Sequence, residues 1–196
     1  MQHELSAGAE HVKDFETVWV GCLTDEVPVE DQPAVSALLW EQHRAVAVYV
    51  PSDVLFGHYD ICCKSFLWPL FHYMLSELPS DSRTDKESWD NYADVNKRFS
   101  ECIASVWRPN DLIIINDYHL MLAPQMTRAL VPKAGISFFL HAPFPSSEVF
   151  RCLPSASLSF ASAFCLRVSQ IAKRSFAAFW APASLASRRT STRATF

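Results

Sequence analysis

The chain has 196 residues, 49% of them hydrophobic, 19% charged and 13% aromatic, with a mean hydropathy of +0.04. This composition belongs to a globular domain of ordinary size and excludes collagen-like, largely disordered and coiled-coil chains. The formal charge of −4 conceals a step: all 21 acidic residues lie at or before Glu148, whereas six of the 17 basic ones fall in the last 42 residues, so a segment of net +6 follows a body of net −10.

Residues 1–16 carry no basic stretch followed by an apolar run, so no signal peptide is predicted and a cytoplasmic protein is expected. Thr17–Cys22 and Ala45–Val50 are short β-branched and aromatic runs that predict strands. The densest apolar stretch, Ile61 to Leu75, is interrupted by Lys64, Pro69 and His72, which predicts a buried helix and no membrane span. Thr84 and Glu87 form a capping box, after which Trp89, Tyr92, Val95, Phe99, Cys102, Ile103 and Val106 recur at three- and four-residue steps. That helix is expected to end before the turn signal Pro109-Asn110-Asp111 and to feed the strand Leu112–Asn116. A second helix over Leu120–Val131 and a strand over Ile136–Leu140 complete the series. The strands are apolar almost throughout, which predicts a parallel sheet covered on both faces, in an α/β, Rossmann-like domain.

Four glycines (Gly8, Gly21, Gly57 and Gly135) leave no room for a Gly-rich phosphate loop. The six cysteines, at 22, 62, 63, 102, 152 and 165, show no C-x-x-C spacing and read as reduced thiols. Ligands of such sheets sit beyond the carboxyl ends of the strands. Two polar clusters fall there, Asn116-Asp117-Tyr118-His119 and His141-Ala-Pro-Phe-Pro145. Asp117 reads equally as a helix N-cap. His141 beside Phe138, Phe139 and Phe144 reads as a core histidine or as a ligand-facing one, and Trp68 as core or as site. Asp117, His119 and His141 together lack the further strong ligand motif that a metal centre would show.

Three motifs in order carry a resemblance. Leu67-Trp-Pro-Leu-Phe-His-Tyr73, Asn116-Asp-Tyr-His-Leu-Met-Leu122 and Phe138-Phe-Leu-His-Ala-Pro-Phe-Pro-Ser-Ser-Glu148 resemble successive motifs of trehalose-6-phosphate synthases. Val149-Phe-Arg-Cys-Leu-Pro154 continues the third, and Trp19-Val-Gly21 and Glu26-Val-Pro28 match upstream. The resemblance covers roughly 17–154. It implies an incomplete Rossmann-like domain with a parallel sheet, one half of a two-domain GT-B glycosyltransferase. The implied reaction moves glucose from UDP-glucose to glucose 6-phosphate with retention, giving trehalose 6-phosphate and UDP without metal or cofactor. By motif match, Tyr59, Trp68 and Asp117 line the glucose 6-phosphate site and His141 contacts the donor glucose as the catalytic residue. A carboxylate suits a sugar hydroxyl, aromatic faces suit a sugar ring, and an imidazole can meet developing charge. Implied partners are the two substrates and subunits of a trehalose synthase complex, with no nucleic acid and no membrane. The alternative is a non-catalytic, regulatory member of that complex.

Two parts of the family's machinery find no match in this sequence: the opening strand with its glycine-rich loop, expected before Trp19, and the nucleotide-binding half whose Arg and Lys neutralise the diphosphate. The chain alone is therefore expected to be inactive. The resemblance stops at Pro154, leaving 155–196 as a basic, Ser- and Ala-rich tail behind a leader of 1–16 and a partial domain of 17–154. Arg174–Thr195 can be encoded so that the neighbouring frame reads EILRGILGASLIGFQTYEYARHF, which resembles the family's continuation. On that reading the tail is out-of-frame or intron-derived, and its positive charge marks no nucleic-acid patch.

Overall fold

A computed structural model describes residues 16–77, 82–146 and 191–194. Residues 1–15 of the leader, Cys152, Cys165 and all of the tail except 191–194 lie outside these residues. The chain opens with β1 (Thr17–Cys22), whose burial alternates so that Val18 and Val20 face the core. α1 (Gln32–His43) follows, with Pro33 in its first turn, where a missing N–H costs nothing, and a left-handed cap at Arg44. β2 (Ala45–Val48) stops two residues short of the predicted Val50.

The segment predicted as a buried helix over Ile61–Leu75 is more elaborate. α2 (Ser52–Phe56) runs into an eleven-residue π-helical stretch, Gly57–Leu67, and then into α3 (Trp68–Phe71). The wider winding turns Cys62, Cys63, Phe66 and Leu67 inward and leaves Tyr59 outward. α4 (Ser82–Val106) starts before Thr84, so the expected capping box lies inside the helix. Its stripe Tyr92, Val95, Phe99 and Ile103 is fully buried, each side chain contributing about 1.5–3 kcal/mol of burial.

Asn110 adopts a positive φ in the predicted turn, and β3 (Leu112–Asn116) follows it as expected. The predicted helix over Leu120–Val131 divides into a 3-10 turn, Tyr118–Leu120, and α5 (Ala123–Leu130). β4 (Gly135–Phe139) is shifted by one residue from its predicted span. A strand that the sequence did not suggest, β5 (Ser191–Ala194), lies in the tail.

All pairings are parallel, in the order β2-β1-β5-β3-β4. The fold is the expected α/β, Rossmann-like one. Burial alternates along β1 and β3: among the described residues α4 covers one face of the sheet, and the other face, with Trp19 and Ile114, is half-buried. Two core clusters result. One, centred on Val20, Phe99, Ile113 and Ile115, lies under the sheet; the other joins Cys62, Cys63, Leu67 and Phe71 to Tyr92, Tyr118 and Met121 beneath the carboxyl ends of β3 and β4. Cys22, Cys62, Cys63 and Cys102 are free thiols. Among the described residues no helix is long and apolar enough to cross a membrane.

Candidate functional site

The carboxyl ends of β3 and β4 are tied together at Asp117. Its amide donates to the Phe139 carbonyl (2.7 Å), and its Oδ1 accepts from the amides of Tyr118 (2.9 Å) and His141 (3.4 Å). Asp117 therefore does cap the 3-10 turn, as the N-cap reading expected, and in the same act it holds the start of the His141 loop. The turn is bought with strain: Asp117 has φ 68° and ψ 171°, a region otherwise reserved for glycine. A non-glycine residue kept there, at a strand's carboxyl end, points to a use for its side chain.

Beneath it, two buried residues of α4 fix the turn. The Tyr92 hydroxyl donates to the Tyr118 carbonyl (2.6 Å) and accepts from the Met121 amide (3.1 Å). The Asn96 Nδ2 donates to the carbonyls of Tyr92 (2.8 Å) and His119 (3.1 Å), while its Oδ1 accepts from the amides of Leu122 and Ala123. Buried amides and carbonyls left unmade would be costly, and one asparagine satisfies four of them.

Above it, the aromatic side chains form a rim. Tyr59, on the π-helical segment, stacks on His119 at 5.8 Å between ring centres. His119 stacks on Tyr118 at 4.1 Å, Tyr118 meets Trp68 at 6.2 Å, and Trp68 lies against His72 at 3.7 Å. Tyr59 and Trp68 remain 43% and 44% exposed, a large apolar area to leave in water at the edge of a packed cluster. His119 Nδ1 lies 3.9 Å from Asp117 Oδ2. Burial nevertheless pulls the His119 pKa down to about 4, with the Asp117 charge opposing it, so the imidazole is neutral at pH 7. His58, under the rim and stacked on Tyr92, is pulled down to about 3 by burial and then by His119. The Tyr118 phenol is pushed up by burial.

All four residues expected from the sequence thus belong to one neighbourhood: Asp117 at its centre, His141 hydrogen-bonded to it through the backbone, Tyr59 and Trp68 on its rim. His141 packs edge-on against Phe139, at 4.8 Å. Tyr118 and His119 were marked by the sequence only as part of the polar cluster at the end of β3, His119 also as a weak metal-ligand candidate, and the Tyr92–Asn96 pair was not singled out. A signal for Asn96 was available, since an asparagine four residues after Tyr92 falls on the apolar stripe of α4. Among the described residues, no group of three or more His, Cys, Asp or Glu is placed to hold a metal ion. A separate cavity of about 340 Å³ lies beyond the ends of β1 and β2, lined by Asp25, Glu26, Gln32, Tyr49 and Arg98 among others, and contains none of the four.

A strained carboxylate ringed by exposed aromatics at the carboxyl end of a parallel sheet is a place for a polar, ring-shaped ligand. Comparison with known proteins supplies the lineage. The profile described as "Glycosyltransferase family 20" matches residues 2–158. The chain belongs to glycosyltransferase family 20. The family-20 chain is 41% identical over 137 residues to the alpha,alpha-trehalose-phosphate synthase [UDP-forming] A of Dictyostelium discoideum, covering 70% of this chain and 18% of that protein. It is 48% identical over 139 residues to a trehalose synthase complex regulatory subunit of Saccharomyces cerevisiae, covering 69% and 13%. Among solved structures, a trehalose-6-phosphate synthase studied with bisubstrate glycomimetics aligns with a TM-score of 0.61 and 26% identity, over 79% of this chain and 33% of that one. The fold is accordingly a partial Rossmann-like domain of a GT-B glycosyltransferase. The chain spans less than a fifth of the length of these two curated relatives.

Proposed function

We propose that this family-20 chain carries the acceptor side of trehalose 6-phosphate synthesis, the transfer of glucose from UDP-glucose to glucose 6-phosphate. The observation that carries the reading is the gathering of Tyr59, Trp68 and His141 around the strained Asp117, Tyr59 by way of His119, Trp68 by way of Tyr118 and His141 by its amide. With Oδ1 occupied by two backbone amides, Asp117 Oδ2 is the oxygen available to accept a sugar hydroxyl, a charge-assisted hydrogen bond that orients the ring. Tyr59 and Trp68 offer flat faces with polar edges to that ring. His141, at the head of the loop after β4, is the group that meets the donor glucose. The diphosphate-neutralising cations belong to the part of the machinery with no match in these residues, so catalysis needs that nucleotide-binding half beside the acceptor side.

Calorimetric titration of glucose 6-phosphate into the full chain tests this reading. Saturable binding that Asp117→Ala weakens at least about tenfold is expected, the scale of a lost charged hydrogen bond. Incubation with UDP-glucose and glucose 6-phosphate is expected to yield no trehalose 6-phosphate. The 48% identity to a regulatory subunit supports a second reading, a non-catalytic member of the complex. That reading expects no glucose 6-phosphate binding, and a changed rate when the chain is mixed with an active synthase.

Within the chain we assign 1–16 to a leader, 17–154 to a partial synthase N-terminal domain, and 155–196 to a tail that is out-of-frame or intron-derived. The end of the family match at residue 158, beside Pro154, supports the second boundary, whereas its start at residue 2 runs against setting the leader apart. The genomic sequence from the Pro154 codon onward tests it: a long family-like frame running beside the tail codons is expected, and its absence would remove the assignment.

A further inference from the structure

His119 has no role in the reading above, yet it touches two of the four site residues. Its ring lies nearly parallel to Tyr59, 14° between planes, and its Nδ1 faces Asp117 Oδ2. Its backbone cannot drift, because Asn96 holds its carbonyl and its neighbour Tyr118 is held by Tyr92 and by Asp117 itself. The ring also stacks on Tyr118, 30° off parallel. The imidazole is thus a fixed plate between the Asp117 carboxylate and an exposed phenol ring. Tyr59 comes from the π-helical segment and Asp117 from the end of β3; among the contacts described, His119 is the side chain that touches both.

We propose that His119 is a positioning residue of the acceptor-sugar site, a ring that sets the Tyr59 face and the Asp117 carboxylate at a fixed separation. This rests on the glucose 6-phosphate reading of the site. The chemistry favours a plate over a charge. A protonated imidazole would clamp Asp117 Oδ2 as an ion pair and withdraw it from a sugar hydroxyl, whereas the uncharged ring leaves that oxygen's acceptor strength to the ligand. The stack on Tyr59 also removes rotamer freedom from a half-exposed side chain before any ligand arrives, which lowers the ordering cost of binding.

The test compares His119→Ala with His119→Phe in the full chain, with two readouts. In glucose 6-phosphate titrations, His119→Ala is expected to weaken binding about five- to tenfold, the worth of an aromatic stack. His119→Phe, which restores a ring without nitrogen, is expected to bind within about threefold of wild type. Ile103→Val, a core change remote from the site, should lower the unfolding midpoint without changing the affinity, so that mere destabilisation is separated from positioning. The second readout needs no ligand: in NMR spectra the Tyr59 ring protons and the His141 amide proton are expected to move in His119→Ala and to return toward wild type in His119→Phe. Unmoved Tyr59 and His141 signals in His119→Ala overturn the proposal, as does a Phe variant that behaves like Ala. Wild type that fails to bind glucose 6-phosphate, with the NMR pattern as expected, sinks the ligand reading and leaves the positioning role standing.

Discussion

Asp117 holds a backbone conformation that costs a residue with a β-carbon of order 1–3 kcal/mol, and its side chain repays part of that through two backbone amides. Glycine has no such cost. Asp117→Gly and Asp117→Ala both remove the carboxylate, but only Ala keeps the strain. In urea unfolding, Asp117→Gly is therefore expected to be more stable than Asp117→Ala by about 1–2 kcal/mol, while both lose the sugar ligand. Equal stabilities would mean the strain is not there. His58 sets a second residue-scale expectation. Burial, then His119, lowers its folded pKa to about 3, against about 6.5 in an unfolded chain. Below pH 6.5 the unfolded state takes a proton that the folded state refuses, so stability is greatest above that pH and falls with acidification. His119, lowered to about 4, acts in the same direction. Each costs about 1.4 kcal/mol per pH unit below its unfolded value. The urea midpoint should drop from pH 6.5 to 4.5, and His58→Phe should make that slope roughly half as steep. Parallel slopes for the two proteins would contradict the assignment of the proton to His58.

At the scale of elements, the packing of the π-helical segment on α4 is what places Tyr59. Gly57 opens that segment where a β-carbon would come within 2.1 Å of Asn91 Nδ2 and 2.9 Å of its Cγ. Gly57→Ala is expected to destabilise by about 1–3 kcal/mol through this overpacking, and Gly57→Ala with Asn91→Ala to recover most of it. An additive double mutant would show that the two elements do not meet there. The same segment shows where sequence stops being readable. β1, β3 and the turn before β3 were legible because β-branched runs bounded by turn residues have few alternatives. The stretch Ile61 to Leu75 read only as buried helix, since apolar spacing does not separate the π winding found over Gly57–Leu67 from an α winding. α1 gave no amphipathic signal because none of its residues is buried, so its sequence had no stripe to show. The site divides in the same way. Asp117 and His141 stood out by their places at strand ends, which left N-cap and core readings open, and only the motif resemblance implied site roles for them. The stack of His119 on Tyr59 joins distant segments, which no spacing within one segment encodes; the spacing of Asn96 in α4 shows that it is buried but not which amides of the neighbouring turn it meets.

At the scale of the molecule, the sheet is two hairpin-free halves, β2-β1 and β3-β4, joined by a strand from near the end of the chain. β5 occupies the slot where burial should be greatest, and it is the most polar strand present, Ser-Thr-Arg-Ala, in register with Val18, Trp19 and Val20 on one side and Ile113, Ile114 and Ile115 on the other. Central strands of parallel sheets are ordinarily near-continuous apolar runs. This mismatch fits a segment that was not selected for the position, as the frame reading of the tail proposes, and it fixes a test of how much the strand matters. Ala194 is fully buried in the core cluster with Val20 and Ile115. Ala194→Asp would place a carboxylate there, which is expected to cost about 3 kcal/mol or more. Thr192→Val, level with Val18 and Ile113, should instead raise stability, by up to about 1 kcal/mol. Opposite shifts of the urea midpoint in the two variants would show that the two halves are held by β5 in solution. If neither variant moves it, the halves are held by α4 alone, the slot between β1 and β3 is not filled by this chain's last residues, and a sheet with that opening would pair with other chains.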